Sequence, residues 1–212
     1  MVSICPTITV QNIEDFKAQL EKAAPLSPRL HIDLSDGSLA PRNLLPVTAM
    51  NWPPNLQIDL HAMVMQPDKI LNELIRSKPK LVIVHAEAEG NMYELAKRFK
   101  INRIKVGVAL LQPTPAAVVM PALDLIDHVL IFSGNLGYQG GSSVDFSLID
   151  KISQLKYAKP SLEIGWDGGV NDTNIADLIR SGVDVINVGG YIQNSQDPVQ
   201  AYAKLNAAAG II

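Results

Sequence analysis

Residues 81–110 read LVIVHAEAEGNMYELAKRFKINRIKVGVAL. The apolar run Leu81–His85 gives way to a helical pattern over Met92–Phe99, then to a second β-branched run over Lys105–Leu110. A strand that is apolar at nearly every position is covered on both faces, as in a parallel sheet, and the helix between supplies the crossover a parallel pair needs. The alternation extends in both directions. Further strands are predicted at Ile4–Ile8, Leu30–Asp33, Gln57–Met63, His128–Ser133, Leu162–Asp167 and Val185–Gly189. Helices are predicted at Ile13–Ala23, Pro67–Ser77, Pro115–Ala122, Ser147–Leu155, Asn174–Ser181 and Pro198–Ala208, with Asp172 as N-cap and Gly182 as C-cap of the unit at 174–181. Leu34–Asn55, which carries Pro41, Pro46, Pro53 and Pro54, reads as an ordered loop with at most a short helix.

Eight strands in 212 residues leave about 26 residues per unit, the size of a compact βα pair. A doubly wound open sheet would carry a Gly-rich phosphate loop after its first strand, and none follows Ile8. The expectation is an α/β protein, a single (β/α)8 TIM barrel over residues 1–212.

Composition narrows the function. The chain is 47% hydrophobic and 18% charged, with 14 Gly and 14 Pro, which excludes collagen-like and Pro/Gly-disordered classes. Eighteen basic against 21 acidic residues argue against a nucleic-acid or membrane-surface partner. The lone Cys5 cannot form an internal disulfide, Met1–Gln11 lacks a basic leader, and no apolar run nears the roughly 20 residues of a membrane span. A cytoplasmic location is expected.

In such a barrel the chemistry sits at the C-terminal strand ends. Those ends hold Thr7, His31 with Asp33, Asp59 with His61, His85, Gln112, Ser133, Asp167 and Gly189-Gly190. Residues two apart on a strand share a face, so His31 and Asp33 point inward together, as do Asp59 and His61. With Asp167 they form a mixed N/O set suited to a divalent metal: Zn²⁺, Fe²⁺, Mn²⁺ or Co²⁺. Asp59 reads as support for a metal-bound histidine. His85 reads as a pocket wall or core hydrogen-bonder, His128 and Cys5 as structural, and Asp36 equally as loop cap or substrate-loop anchor. Gly168-Gly169 and Gly189-Gly190 suit a phosphate held by backbone N–H groups, which needs no basic cluster. Gly134–Ser143, with four glycines in its first eight residues, reads as a lid or phosphate-contacting loop.

The pattern resembles the ribulose-phosphate 3-epimerase family over essentially the whole chain. Pro6-Thr-Ile8 is similar to the family's Pro-Ser-Ile, and His31-Ile-Asp-Leu-Ser-Asp-Gly37 to its His-Val-Asp-Val-Met-Asp-Gly. Asp59-Leu-His-Ala-Met-Val64, His85-Ala-Glu87 and Asp167-Gly-Gly-Val170 have counterparts, while Gln112-Pro-Thr-Pro115 matches loosely. The resemblance implies one divalent metal, Zn²⁺ first, on His31, Asp33, His61 and Asp167, with Asp33 and Asp167 also the acid/base pair. It implies substrate or phosphate contacts at Thr7, Met63, Gly137, Gly140, Gly168, Gly169, Gly189 and Gly190, a sugar-phosphate ligand, and a homo-oligomer. The reaction implied is epimerisation at C3 of a ketose phosphate, D-ribulose 5-phosphate to D-xylulose 5-phosphate.

Departures fall on the pocket lining. Ser35 and Phe132 stand where the family has methionines, Gly190 replaces a serine, and Asn135-Leu-Gly-Tyr-Gln-Gly140 replaces Asn-Pro-Gly-Phe-Gly-Gly. A hexulose 6-phosphate such as allulose 6-phosphate is therefore the alternative substrate, and a non-catalytic sugar-phosphate-binding barrel the alternative role. Phosphate-sugar decarboxylases of the same superfamily carry Asp-x-Lys-x-x-Asp on the third strand; His61 here occupies the lysine's place.

Overall fold

The computed structural model describes residues 2–211. Eight parallel strands close into a barrel in sequence order: β1 (Ser3–Ile8), β2 (Arg29–Ser35), β3 (Gln57–Met63), β4 (Leu81–His85), β5 (Lys105–Leu110), β6 (His128–Phe132), β7 (Glu163–Asp167) and β8 (Val185–Val188). The (β/α)8 expectation is met, with strand ends moved by at most two residues. Around the barrel run α1 (Ile13–Ala23), α2 (Leu71–Arg76), α3 (Met92–Ile101), α4 (Ile149–Ala158), α5 (Ile175–Arg180), α6 (Gly190–Gln193) and α7 (Pro198–Ala208). Local chemistry starts them: Asn12 accepts from the Asp15 N–H, and Asn91 from those of Tyr93 and Glu94, each cap contributing about 1 kcal/mol.

Three expectations need correction. Pro115–Ala122 is not an α-helix; the fifth crossover is a 3-10 run, Ala116–Leu125, because Pro121 removes an N–H from its interior. The segment begun by Pro67 opens as a 3-10 turn over Pro67–Ile70 before α2. Asp172 does not cap α5; Asn174 holds the N-cap position, its side chain accepting from the Asn171 N–H and donating to the Gly169 carbonyl. Gly182 does close that helix, at φ +99°. The stretch after β2 is a loop with one 3-10 turn, Val47–Ala49, as expected, and α6 was not foreseen. Among the described residues no helix is long and apolar enough to cross a membrane.

Two apolar layers lie between the outer face of the sheet and the helices, one built around Phe16, Phe99 and Leu60, the other around Trp166, Ile131 and Ile186. Inside the barrel Leu81, Ile83, Ala109 and Leu130 pack together on one side. Much of the remaining interior is polar. Its lower end, at the strand starts, is a network: Arg29 pairs with Asp59 at 2.7 Å and with Glu163 at 2.9 Å, and His128 Nδ1 donates to Glu163 at 2.8 Å. This corrects the reading of Asp59, whose hydrogen-bond partner is Arg29 and not a histidine. His128 is structural, as expected.

Candidate active site

The mouth is assembled by sheet register. Asp33 on β2 lies beside His61 on β3, and His31 beside Asp59, so two strands deliver His31, Asp33 and His61 to one point. Asp167 arrives from β7, with β8 and β1 between. One ligand atom from each of these four residues lies within 4.8 Å of the others. His31 Nε2 stands 3.3 Å from an Asp33 oxygen and 3.4 Å from an Asp167 oxygen, yet hydrogen-bonds neither and is buried without a partner.

Proton counting supports a cation there. His61 Nδ1 faces Asp33 Oδ1 at 2.9 Å, and its Nε2 faces His85 Nε2 at 2.8 Å. His85 Nδ1 in turn lies 3.1 Å from Glu87 Oε2. Three contacts joining two imidazoles need three protons, and two neutral rings supply two. With His85 donating to Glu87 and His61 donating to His85, the lone pair of His61 Nδ1 meets a carboxylate oxygen. A divalent ion removes that conflict, and two imidazoles with two carboxylates are the donors a borderline metal takes. The residues fit the group. His85 is thus the core hydrogen-bonder expected; the contribution of Glu87, which also accepts from the Leu111 N–H and the Thr114 hydroxyl, went unread.

Electrostatics separate the two carboxylates. Burial pushes both upward, but the His31 and His61 imidazoles hold Asp33 well below the usual carboxylate range. Asp167 is raised, by burial and by the Asp33 charge, against the pull of His31. Burial lowers His61 to about 4, opposed by Asp33. Burial opposes the charged form of His31 as well, but Asp33 and Asp167 outweigh it and raise that ring. Two acids with opposite shifts suit a donor and an acceptor of protons.

Above these residues opens a cavity of about 290 Å³. It is lined by Asp33 and Asp167 and by Thr7, Met63, Gly137, Gly140, Gly168, Gly169, Gly189 and Gly190, so all eight expected contact residues border it. His31 and His61 lie fully buried, outside the lining. Among the described residues no Lys or Arg contributes to the wall. Gly168 and Gly169 adopt φ +114° and +75°, and a Cβ on either would collide with the backbone of the 134–143 loop. That loop covers the cavity: Gln139 Nε2 donates to the Thr7 carbonyl at 2.9 Å, and Arg42 stacks on Tyr138 at 4.7 Å. Phe132 borders the cavity with its ring 5.6 Å from that of His61, whereas Ser35 turns to accept from the Gly37 N–H and lies outside the lining. Asp36 is a loop cap, accepting from the Ser38 N–H.

Several lining residues were not singled out from the sequence, Thr9, Gln139, Asn171, Asn187 and Asn194 among them. Thr9 donates to Asp33 Oδ2 at 2.6 Å; it sits two positions past Thr7, so strand parity was the available signal. Asn187 is a polar residue in an apolar strand, on the same register as Asp167. Gln139 had no signal, since its partner Thr7 is 132 residues away.

Comparison with known proteins gives consistent results. Residues 3–193 match the model of the Ribulose-phosphate 3 epimerase family. A chloroplastic ribulose-5-phosphate-3-epimerase of Arabidopsis thaliana is 28% identical, covering 98% of this chain and 77% of its own. A ribulose-phosphate 3-epimerase of Helicobacter pylori is 33% identical over 79% of this chain and 80% of its own. Among solved structures, KGPDC from Streptococcus mutans in complex with a sugar phosphate superposes with TM-score 0.78 at 11% identity, covering 99% of this chain and 97% of that one. The 3-hexulose-6-phosphate synthase of Salmonella typhimurium gives 0.74 at 15%, covering 98% of both chains. At such identities these two structures show a shared fold alone.

Proposed function

Because the chain belongs to the ribulose-phosphate 3-epimerase family, whose named relatives are isomerases acting on carbohydrate phosphates, we propose that it inverts C3 of a 2-ketose phosphate, with D-ribulose 5-phosphate and D-xylulose 5-phosphate as the first pair. The observation that carries this is the convergence of Asp33 and Asp167 on His31 Nε2, at 3.3 and 3.4 Å, at the base of a glycine-lined cavity. One carboxylate takes the C3 proton. The electron pair left behind passes into the C2–C3 bond and onto the C2 oxygen, giving an enediolate. The other carboxyl returns a proton to the opposite face of C3, inverting it. Each turnover leaves the two groups with exchanged protonation, restored by the reverse passage or by solvent. A divalent cation on His31, Asp33, His61 and Asp167, Zn²⁺ first and Fe²⁺, Mn²⁺ or Co²⁺ as alternatives, would polarise the C2 carbonyl and offset the enediolate charge. Backbone N–H groups at Gly168, Gly169, Gly189 and Gly190 hold the phosphate, Thr7, Gly137 and Gly140 close over it, and Met63 supports the sugar chain.

The test is proton NMR of metal-supplemented protein with D-ribulose 5-phosphate in D₂O. Deuterium entry at C3 together with D-xylulose 5-phosphate is the expected result. Full activity in metal-free protein would overturn the role of the cation. Neither signal with metal bound would redirect the substrate to a hexulose 6-phosphate such as allulose 6-phosphate, the second reading, which the unpaired polar lining at Asn187 favours. Neither signal and no metal would leave a non-catalytic sugar-phosphate-binding barrel. The same reading has the enzyme in the cytoplasm as a homo-oligomer, without nucleic-acid or membrane partners; sedimentation and fractionation check it.

A further inference from the structure

Asn187 lies near the end of β8, in register with Asp167 on β7 and Cys5 on β1. It is 2% exposed, and neither its Oδ1 nor its Nδ2 has a hydrogen-bond partner. A buried carboxamide unpaired at both ends opposes folding, and an apolar side chain of similar shape would not. The residue borders the cavity, on the wall between Asp167 and the Gly189-Gly190 turn. Thr7 Oγ1, on the neighbouring strand and bordering the same space, is also buried and unpaired. Asn187 makes no bond to Asp167, so it does not orient that carboxyl.

A partner for Asn187 must both donate and accept, as a hydroxyl does. If the reacting carbon sits at Asp33 and Asp167 and the phosphate at the glycine turns, which is the reading proposed above, the carbons between them pass this amide. In a ketopentose 5-phosphate that segment carries one hydroxyl free of the reacting centre, on C4. In a ketohexose 6-phosphate it carries two adjacent ones, on C4 and C5, and a carboxamide can accept from one while donating to the other. We propose that Asn187 is a substrate-binding residue that hydrogen-bonds the secondary hydroxyls between the reacting carbon and the phosphate, and thereby sets the discrimination between five- and six-carbon ketose phosphates.

The experiment compares the metal-loaded wild type with Asn187→Leu and Asn187→Ser. It reads kcat and KM for D-ribulose 5-phosphate and D-allulose 6-phosphate, calorimetric dissociation constants for both, and the thermal midpoint. Asn187→Leu is expected to melt above wild type and to lose affinity, with KM raised roughly tenfold for the pentulose and roughly a hundredfold for the hexulose, one lost hydrogen bond against two. The loss falls on KM rather than kcat, and Asn187→Ser recovers part of it for the pentulose. Equal shifts for both substrates, an unchanged KM, or a loss confined to kcat would overturn the proposal. Should Asn187→Leu fail to fold, Asn187→Ser carries the same comparison with smaller shifts. If the wild type exchanges no C–H on either compound, the epimerase reading fails, while the ratio of dissociation constants still decides the role of Asn187.

Discussion

Both ends of the barrel interior draw on histidine and carboxylate side chains, with β2, β3 and β7 contributing to each, and they end in opposite conditions. At the floor, Arg29, Asp59, Glu163 and His128 satisfy one another: one guanidinium serves two carboxylates, and a histidine serves the second. The polar side-chain atoms of this group left without a partner are Asp59 Oδ1 and His128 Nε2, and with His128 Nδ1 donating to Glu163 both are acceptors. Two to four residues further along those strands, at the mouth, His31, His61, Asp33 and Asp167, joined by Thr7 and Asn187 from β1 and β8, include no Lys or Arg, and several atoms are buried with nothing to bond. Buried polar groups are costly unless partnered. A closed network therefore reads as scaffold and an open one as a site, whatever the residue names.

Substitutions can break the contrast from either end. Asp167→Asn should have the largest effect, a fall of about 10²–10⁴ in turnover with metal still bound, checked by C3 deuterium exchange alongside metal analysis. His61→Ala should lose metal and activity together, since it removes one of the four donors and the end of the His85–Glu87 chain. Glu87→Gln should act more gently, weakening metal affinity about 10- to 100-fold in a chelator competition. At the floor the readout moves from activity to stability. Arg29→Met leaves Asp59 unpaired and Glu163 with His128 alone, and should cost about 3–5 kcal/mol in chemical denaturation, with metal stoichiometry unchanged. Loss of metal in that variant would erase the distinction between the ends.

The smallest effect is in the acid limb. Burial would raise Glu163, but His128 and Arg29 hold it well below the usual carboxylate range; Glu87 is likewise brought to about 2, by His85 and Thr114 against burial. A depressed folded-state value adds stability above the unfolded value of about 4.3, and that stability is lost as pH falls through the folded value. Stability should therefore decline below about pH 4.3, and Glu163→Gln should flatten part of the decline in pH-dependent denaturation.

Much of this was legible in the sequence because it is local. Leu81-Val-Ile-Val is a doubly covered strand whatever it pairs with, and the two-residue spacing of His31 with Asp33 puts both on one face before any fold is known. Parity and order along the chain bring His31, Asp33, Asp59, His61 and Asp167 to one end, and the family resemblance selects the four candidate metal ligands among them. Three features did not follow from such rules. The fifth crossover carries an apolar pattern that reads as helix, and Pro121 makes it a 3-10 run. Asp59 stands two residues from His61, which reads as support for that ring, but its partner is fixed by Arg29 reaching across from β2. Asn187 is one polar letter in an apolar strand, and only closure of β8 onto β1 buries it beside Asp167.

The sequence by itself determined the strand and helix alternation, the faces on which the histidines and aspartates point, and the glycines where backbone must approach backbone. These follow from side-chain periodicity and steric limits within a few residues. The tertiary structure alone decided which polar groups are satisfied: whether a carboxylate finds a guanidinium, a histidine or nothing depends on strands up to 134 residues apart, as Arg29 and Glu163 are. Hydrogen bonds act over about 3 Å, and no spacing along the chain encodes that distance until the barrel closes.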